Sequence, residues 1–254
     1  MNLAGAVAIV TGGGTGIGRA VSESLARAGA GAVVVNYSRS HDDAEATAAA
    51  LKDLGCEGVP HRASVADQAE VRAMIDQTVS RFGRLDVLVN NAGTTRFIPH
   101  PDLDALTDEV WDEVLGVNLK GTFYCSRAAA PALRRARGAI VNIASVAAGR
   151  ASGSSIVYGV SKAGVIQLTR NLAVALAPEV RVNAVAPGLV STRWFRLAFG
   201  EDATSTQEER IASSTPLGRV ATPEDVAQAV MGFLGSDMVS GESVIVDGGR
   251  HVTY

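Results

Sequence analysis

Apolar and polar positions along this chain alternate on two scales. Short runs rich in β-branched residues recur near 6–11, 32–36, 85–90, 138–144, 180–186 and 243–247, with a weaker candidate at 57–62. Between them, 16–29, 41–55, 67–82, 104–135, 156–177 and 223–235 carry apolar residues at helical spacing, and the fourth is long enough to break into two helices. Strands buried on both faces read as continuous Val/Ile runs, and strand–helix alternation of this kind builds βαβ units. The pattern predicts an α/β fold: a single Rossmann-type doubly wound parallel sheet of about seven strands, flanked by helices on both faces and joined by right-handed crossovers.

No internal repeat, charge block or linker divides the chain, so 1–254 reads as one dinucleotide-binding and catalytic domain. The stretch 193–215 departs from the pattern: Trp194, Phe195 and Phe199 precede a polar Ser/Thr/Glu-rich run. A mobile substrate flap fits this composition better than core does. The aromatic residues read equally as an apolar pocket lining and as anchors of the flap.

Composition narrows the function classes. With 254 residues, 47% of them apolar, the chain is long enough for a full-sized core, which excludes disorder, collagen and a disulfide scaffold. A net charge of −3 gives no global attraction to nucleic acid or an anionic membrane. No apolar stretch approaches the roughly 18 to 20 residues of a membrane helix. The opening Met1-Asn2-Leu3-Ala4-Gly5 has no basic run, and the apolar stretch from Ala6 to Val10 is too short for a signal peptide. Cys56 and Cys125 stand far apart with no CxxC, as free thiols of a reducing cytoplasm would. His41, His61, His100 and His251 are isolated, so no metal site is expected.

The first candidate for chemistry is Thr11-Gly12-Gly13-Gly14-Thr15-Gly16-Ile17-Gly18, between the first strand and the first helix. Residues without Cβ let backbone approach a ligand closely, and the open N–H groups of a helix N-terminus favour a pyrophosphate. Gly18 is followed by Arg19-Ala20 and not by Lys-Ser/Thr, which points away from a triphosphatase loop and towards a dinucleotide. About 20 residues on, where NAD-binding chains usually carry an acidic residue, stands Asn36, followed by Tyr37, Ser38 and Arg39. The planar guanidinium of Arg39 suits a 2′-phosphate, favouring NADP over NAD, although Arg39 also reads as an ordinary solvated loop arginine.

Tyr158 and Lys162 are four residues apart at the start of a helical stretch, one turn apart on one face. A neighbouring ammonium and a cationic nicotinamide would favour phenolate and let Tyr158 exchange a proton with a carbonyl or alcohol oxygen. Lys120 and Tyr124 share the spacing in reverse, so spacing alone does not choose. Ser145, just past the strand Ala139–Ile143, stands where the carboxyl end of a parallel strand faces the ligand crevice; it orients a substrate oxygen or, as plainly, caps a helix.

With these residues in place, the sequence resembles the short-chain dehydrogenase/reductase family over nearly all of 5–249. Beyond the T-G-x-x-x-G-x-G turn and the Ser145/Tyr158/Lys162 set, it has Asn90-Asn91-Ala92-Gly93, Val117-Asn118-Leu119, Pro187-Gly188-Leu189-Val190-Ser191-Thr192 and Asp247-Gly248-Gly249 in family order. The resemblance implies that Tyr158 is the acid/base and that Lys162 lowers its pKa and binds the nicotinamide ribose. It implies that Ser145 positions the carbonyl and that Asn118 holds a water linking Lys162 to solvent. It places the cofactor against Gly12, Thr15, Gly16, Ile17 and Gly18; Asn36, Ser38 and Arg39; Ser64 and Val65; Asn91, Ala92 and Gly93; Tyr158 and Lys162; and Pro187, Gly188, Val190 and Thr192. Asn91 matches the position beside the adenine-side ribose, and Val190 and Thr192 match those that hold the carboxamide. One departure is Ser64, where relatives commonly have an aspartate touching adenine.

Within the family, Asn91 to Arg96 and Asn36 to Ser40 resemble the β-ketoacyl-acyl-carrier-protein reductases. The expected activity is NADP-dependent hydride transfer between nicotinamide and a carbonyl or secondary alcohol, including a 3-oxoacyl thioester. An NAD-dependent alcohol or sugar dehydrogenase and a catalytically silent dinucleotide-binding regulator are the alternatives. An acyl carrier protein is acidic and needs a basic patch near the site mouth, which Arg134, Arg135 and Arg137 would supply unless they only complement a helix dipole. The resemblance also implies a homotetramer, into which the tail 250–254 would pack.

Overall fold

The structure is a computed structural model that describes residues 1–192 and 200–253, with side chains for all of these except 201–204. Seven strands, β1 (Val7–Val10), β2 (Ala32–Tyr37), β3 (Glu57–Arg62), β4 (Val87–Asn90), β5 (Ala139–Ile143), β6 (Arg181–Pro187) and β7 (Ser243–Val246), form one sheet in the order β3-β2-β1-β4-β5-β6-β7. Every pairing is parallel.

Period-2 geometry divides the strand residues between two cores. Ala8, Val10, Val33, Val35, Val87, Val89, Val141 and Val185 point to one face. There they pack with Val21 and Leu25 of α1 (Gly16–Arg27) and with Val226, Val230 and Leu234 of α8 (Pro223–Gly235). Ile9, Val34, Leu88, Ile140 and Val182 point to the other face. That face carries Val71, Met74 and Ile75 of α3 (Gln68–Phe82), Leu133 of α5 (Thr122–Ala136) and Leu172 of α6 (Ile156–Ala175). Each such side chain contributes about 1.5–3 kcal/mol relative to exposure. Among the described residues the other α-helices are α2 (His41–Asp53), α4 (Asp108–Leu115) and α7 (Glu201–Ser213).

Caps fix the helix ends. The Asp67 carboxylate accepts from the N–H groups of Ala69 and Glu70 at 2.7 and 3.1 Å, and α3 stops at Gly83, whose φ of 73° suits a residue without Cβ. Thr222 and Asp225 form a reciprocal capping box ahead of α8.

Two stretches differ from expectation. The long helical pattern at 104–135 does not break; it widens between α4 and α5 into a π-helical turn, Gly116–Gly121. In the expected flap, 201–213 is helical, while 193–199, with Trp194, Phe195 and Phe199, lies outside the described residues.

The register aligns Val10 with Val35 and Val89, and Asn90 with Asn142, so the loops after β1, β4, β5 and β6 open along one edge. β1 lies between β2 and β4, where the strand order reverses, and this is the crevice in which open α/β sheets bind ligands.

Candidate active site

The glycine turn at the head of β1 is built around contacts that exclude side chains. A Cβ on Gly18 would lie 2.1 Å from the Gly12 carbonyl oxygen and 2.7 Å from Asn91 Nδ2; one on Gly13 would lie 2.8 Å from the Val10 carbonyl oxygen. Gly12 and Gly16 take φ of 60° and 49°, and Gly16 packs against Thr192, whose Cγ2 would be 3.3 Å from an added Cβ. Thr15 makes no side-chain cap and no acidic residue stands in the first turn of α1, so its leading N–H groups face the crevice without an internal anion. This cradle fits a dinucleotide pyrophosphate, with Ile17 half-buried behind it.

Thr11, a functional residue that the glycine motif alone does not single out, fastens the turn to the loop after β4. Its hydroxyl accepts from the N–H groups of Asn91 and Ala92, both at 3.0 Å, while Asn91 Nδ2 donates to the carbonyls of Thr11 and Gly12 at 2.9 and 3.0 Å. The signal for it was a hydroxyl residue at the strand end, next to the glycines.

Asn36 is placed differently from expectation. It is buried, its Oδ1 accepts from the Gly12 N–H at 3.3 Å and its Nδ2 donates to the Ala63 carbonyl at 2.9 Å. The amide is therefore committed to supporting the turn. Ser38 and Arg39 are exposed beyond the strand end, and Arg39 has no ion-pair partner among the described residues. Ser64 follows β3 half-buried, its N–H donating to the Glu70 carboxylate at 2.7 Å, and Val65 beside it packs within contact of Gly121.

Ser145, Tyr158 and Lys162 converge. Ser155 caps α6, accepting from the Tyr158 N–H at 3.4 Å, and this sets Tyr158 in the first turn with Lys162 one turn along. The phenol lies close enough to the Ser145 side chain for that hydroxyl to favour its ionised form, and the Lys162 Nζ lies 5.7 Å from the centre of the phenol ring. Lys162 Nζ donates to the Ile143 carbonyl at 2.8 Å. Gly153, with φ 107°, lies against the ring: an added Cβ would stand 3.3 Å from Tyr158 Cδ1.

Asn118 sits in the π-helical turn, a distortion that recurs at functional sites. Its Oδ1 accepts from the Thr94 N–H at 2.8 Å, and its Nδ2 donates to the Thr94 carbonyl at 3.0 Å and Ser161 Oγ at 2.9 Å. A Cβ on Gly93 would come within 3.5 Å of Asn118 Oδ1 and 3.7 Å of Lys162 Nζ, so both side chains meet over this glycine. Asn90 is buried, donating to Asn142 Oδ1 at 2.8 Å, and links β4 to β5 beneath the site. Lys120 and Tyr124 form no comparable set: Lys120 is exposed and Tyr124 is stacked by Arg127.

Burial dominates the electrostatics. Desolvation pushes the Lys162 ammonium down to about 8. Desolvation also pushes the Tyr158 phenol up, and the Ser145 hydrogen bond opposes this. Burial thus acts on Tyr158 in the opposite sense to the lowering expected of Lys162.

Arg134, Arg135 and Arg137 lie away from the site mouth expected of them. They end α5 immediately before β5, at the amino edge of the sheet opposite Ser145, and Arg134 Nη2 donates to the Ala175 carbonyl at 3.0 Å. They cannot line the mouth of the site.

Pro187 ends β6 and Gly188 donates its N–H to the Val246 carbonyl at 2.9 Å; Val190 bridges to Ala221. Among the described residues no cluster of metal-ligating side chains occurs and no helix is long and apolar enough to cross a membrane.

A fully parallel sheet with its glycine turn at the strand-order reversal, and a Ser–Tyr–Lys set with its lysine buried beside it, define a dinucleotide-dependent oxidoreductase. A family model described as enoyl-(acyl carrier protein) reductase matches residues 12–251. The chain belongs to this family of short-chain dehydrogenases/reductases. It is 48% identical over 247 residues, 97% of this chain and 96% of the relative, to a protein from Streptomyces violaceoruber named as ketoacyl reductase 2 of the granaticin polyketide synthase. It is 40% identical to the 3-oxoacyl-[acyl-carrier-protein] reductase of Staphylococcus aureus, over 96% of this chain and 98% of that one. A solved short-chain dehydrogenase/reductase from Burkholderia xenovorans superposes with a TM-score of 0.89 at 34% identity, covering 98% of each chain.

Proposed function

We propose that the protein is an NADP-dependent reductase of 3-oxoacyl thioesters. The observation that carries this reading is the Ser145–Tyr158–Lys162 set, half-buried at Ser145 and Tyr158 and buried at Lys162, opening onto a cradle of backbone that admits no side chain. When bound, a nicotinamide dinucleotide supplies the hydride. Gly12, Thr15, Gly16, Ile17 and Gly18 would hold its pyrophosphate, Asn91, Ala92 and Gly93 would line its ribose, and Pro187, Gly188, Val190 and Thr192 would close over the carboxamide. Ser64 and Val65 would lie at its adenine end. Exposed Ser38 and Arg39 favour a 2′-phosphate, with Asn36 acting through the turn it supports.

The Tyr158 hydroxyl donates its proton to the substrate carbonyl oxygen while Ser145 hydrogen-bonds to the same oxygen. A phenol held protonated by burial is the form a reduction needs. Lys162, with a pKa near 8, exchanges protons readily at neutral pH and restores the phenol. The Asn118 carbonyl, which accepts from Thr122 Oγ1 at 2.7 Å, would hold the relay water.

The names of the relatives support the thioester class, and an acyl carrier protein as its carrier. Val244 and Ile245, 40% and 39% exposed on the edge strand β7, support self-association, a homotetramer in this reading. Buried Cys56 and Cys125, their thiols pushed up to about 11 and 12 by desolvation, suit a cytoplasmic setting. The segment 193–215 would act as the substrate flap. Initial rates with a β-ketoacyl thioester, NADPH and NADH test the proposal. The expected result is turnover with at least about tenfold preference for NADPH. Equal or better turnover with NADH overturns the cofactor assignment, and turnover of simple alcohols alone overturns the substrate class.

A further inference from the structure

The turn Asp247-Gly248-Gly249 plays no part in the reaction above, yet it is tightly built. The Asp247 carboxylate accepts from the Gly249 N–H at 3.0 Å and pairs with His251 Nδ1 at 2.8 Å. A Cβ on Gly248 would lie 2.5 Å from Thr215 Cγ2, so only glycine lets the end of β7 press on the residues following α7. The Gly248 carbonyl accepts from the Leu217 N–H at 3.2 Å.

Two arginines close this turn onto separate elements. Arg250 Nε donates to Oγ of Ser214, the residue that ends α7, at 3.1 Å. Arg150 Nη2 donates to the carbonyls of Arg250, at 3.3 Å, and His251. Arg150 belongs to the loop between Ser145 and Tyr158.

We propose that residues 247–251 form a strap, closed by Arg150 and Arg250, that fixes the foot of α7 to the loop carrying Ser145. Arg150 is then a positioning residue for the carbonyl substrate; this part rests on the reductase reading above. It touches neither substrate nor cofactor cradle, so its loss changes where α7 sits against the catalytic loop and leaves the glycine turn intact.

The test compares full-length wild type with Arg150→Ala, Arg150→Lys, Arg250→Ala and the double alanine variant. Arg150→Ala is expected to raise the thioester KM by about tenfold, the scale of one or two lost hydrogen bonds, with kcat and NADPH affinity within about twofold of wild type. Arg150→Lys, which keeps one donor, recovers part of that rise. Arg250→Ala acts in the same direction, and the double variant falls short of the product of the singles because both open one strap. Hydrogen exchange of the 205–213 amides, which needs no activity, quickens in each alanine variant. An unchanged KM, unchanged exchange in α7, or a parallel loss of NADPH affinity and thermal stability would overturn the strap. Wild-type failure to reduce any thioester would instead count against the reductase reading, while the exchange data still judge the strap.

Discussion

Lys162 offers the sharpest test of how dry the site is. Its pKa falls from 10.5 to about 8 on burial, a difference worth about 3 kcal/mol at about 1.4 kcal/mol per pH unit. Between pH 8 and 10.5 the unfolded chain keeps a proton that the folded chain has released, so stability rises with pH across that window. Below pH 8 both states carry the charge and the folded protein bears the full desolvation cost. Lys162→Met removes the titration. It also strands the Ile143 carbonyl, which offsets the two profiles, while any weakening of that bond as the ammonium deprotonates is already contained in the lysine's lowered pKa. Denaturant unfolding of both proteins at pH 7, 8, 9 and 10, without added nucleotide, isolates the effect. The stability difference, wild type minus variant, is expected to move in favour of wild type by about 2 kcal/mol or more between pH 7 and 10. Profiles that stay parallel within about 0.5 kcal/mol would show that Lys162 is well solvated, and its role as a readily titrating proton donor would fall with that result.

Three further outcomes follow from the geometry. Gly18→Ala pushes a methyl into the Gly12 carbonyl and Asn91 Nδ2, and overpacking of about 1–3 kcal/mol should weaken NADPH binding by roughly 5- to 100-fold in a fluorescence titration. Tyr158→Phe should lower kcat at least about 100-fold with cofactor affinity nearly intact, and full activity in steady-state assays would refute the acid role. Arg39→Ala should raise the KM for NADPH by about 10- to 100-fold and leave NADH kinetics nearly unchanged, since only the 2′-phosphate loses a charge-assisted partner.

The sheet was legible because its inner strands are buried almost throughout, whereas the edge strand β3, half-exposed, gave the weaker signal. Helix α7 was not: Glu201 to Ser213 is polar nearly throughout, and such a segment gives no periodic signal. The π-helical turn escaped notice because the apolar spacing runs through Gly116–Gly121 without a proline or cap to mark it. The bonds that tie Asn36 to the glycine turn were not legible, because a strand buried on both faces shows no alternation from which to read a side chain's direction. The Arg134–Arg137 patch was misplaced although β5 begins two residues later; strand polarity alone puts it at the edge remote from Ser145. Ser145, Tyr158 and Lys162 were legible as a set because chain order and strand ends place them at one mouth.

The contact between Gly14 and α2 has a practical consequence. A Cβ on Gly14 would stand 2.9 Å from the Ala44 nitrogen, and Thr47 Oγ1 donates to the Gly14 carbonyl at 3.0 Å. Coenzyme retuning by exchange of the 38–44 stretch will therefore tug on the diphosphate grip as well. Swaps that spare Ala44 and Thr47 should alter selectivity cleanly, whereas wholesale grafts should erode affinity for both coenzymes together.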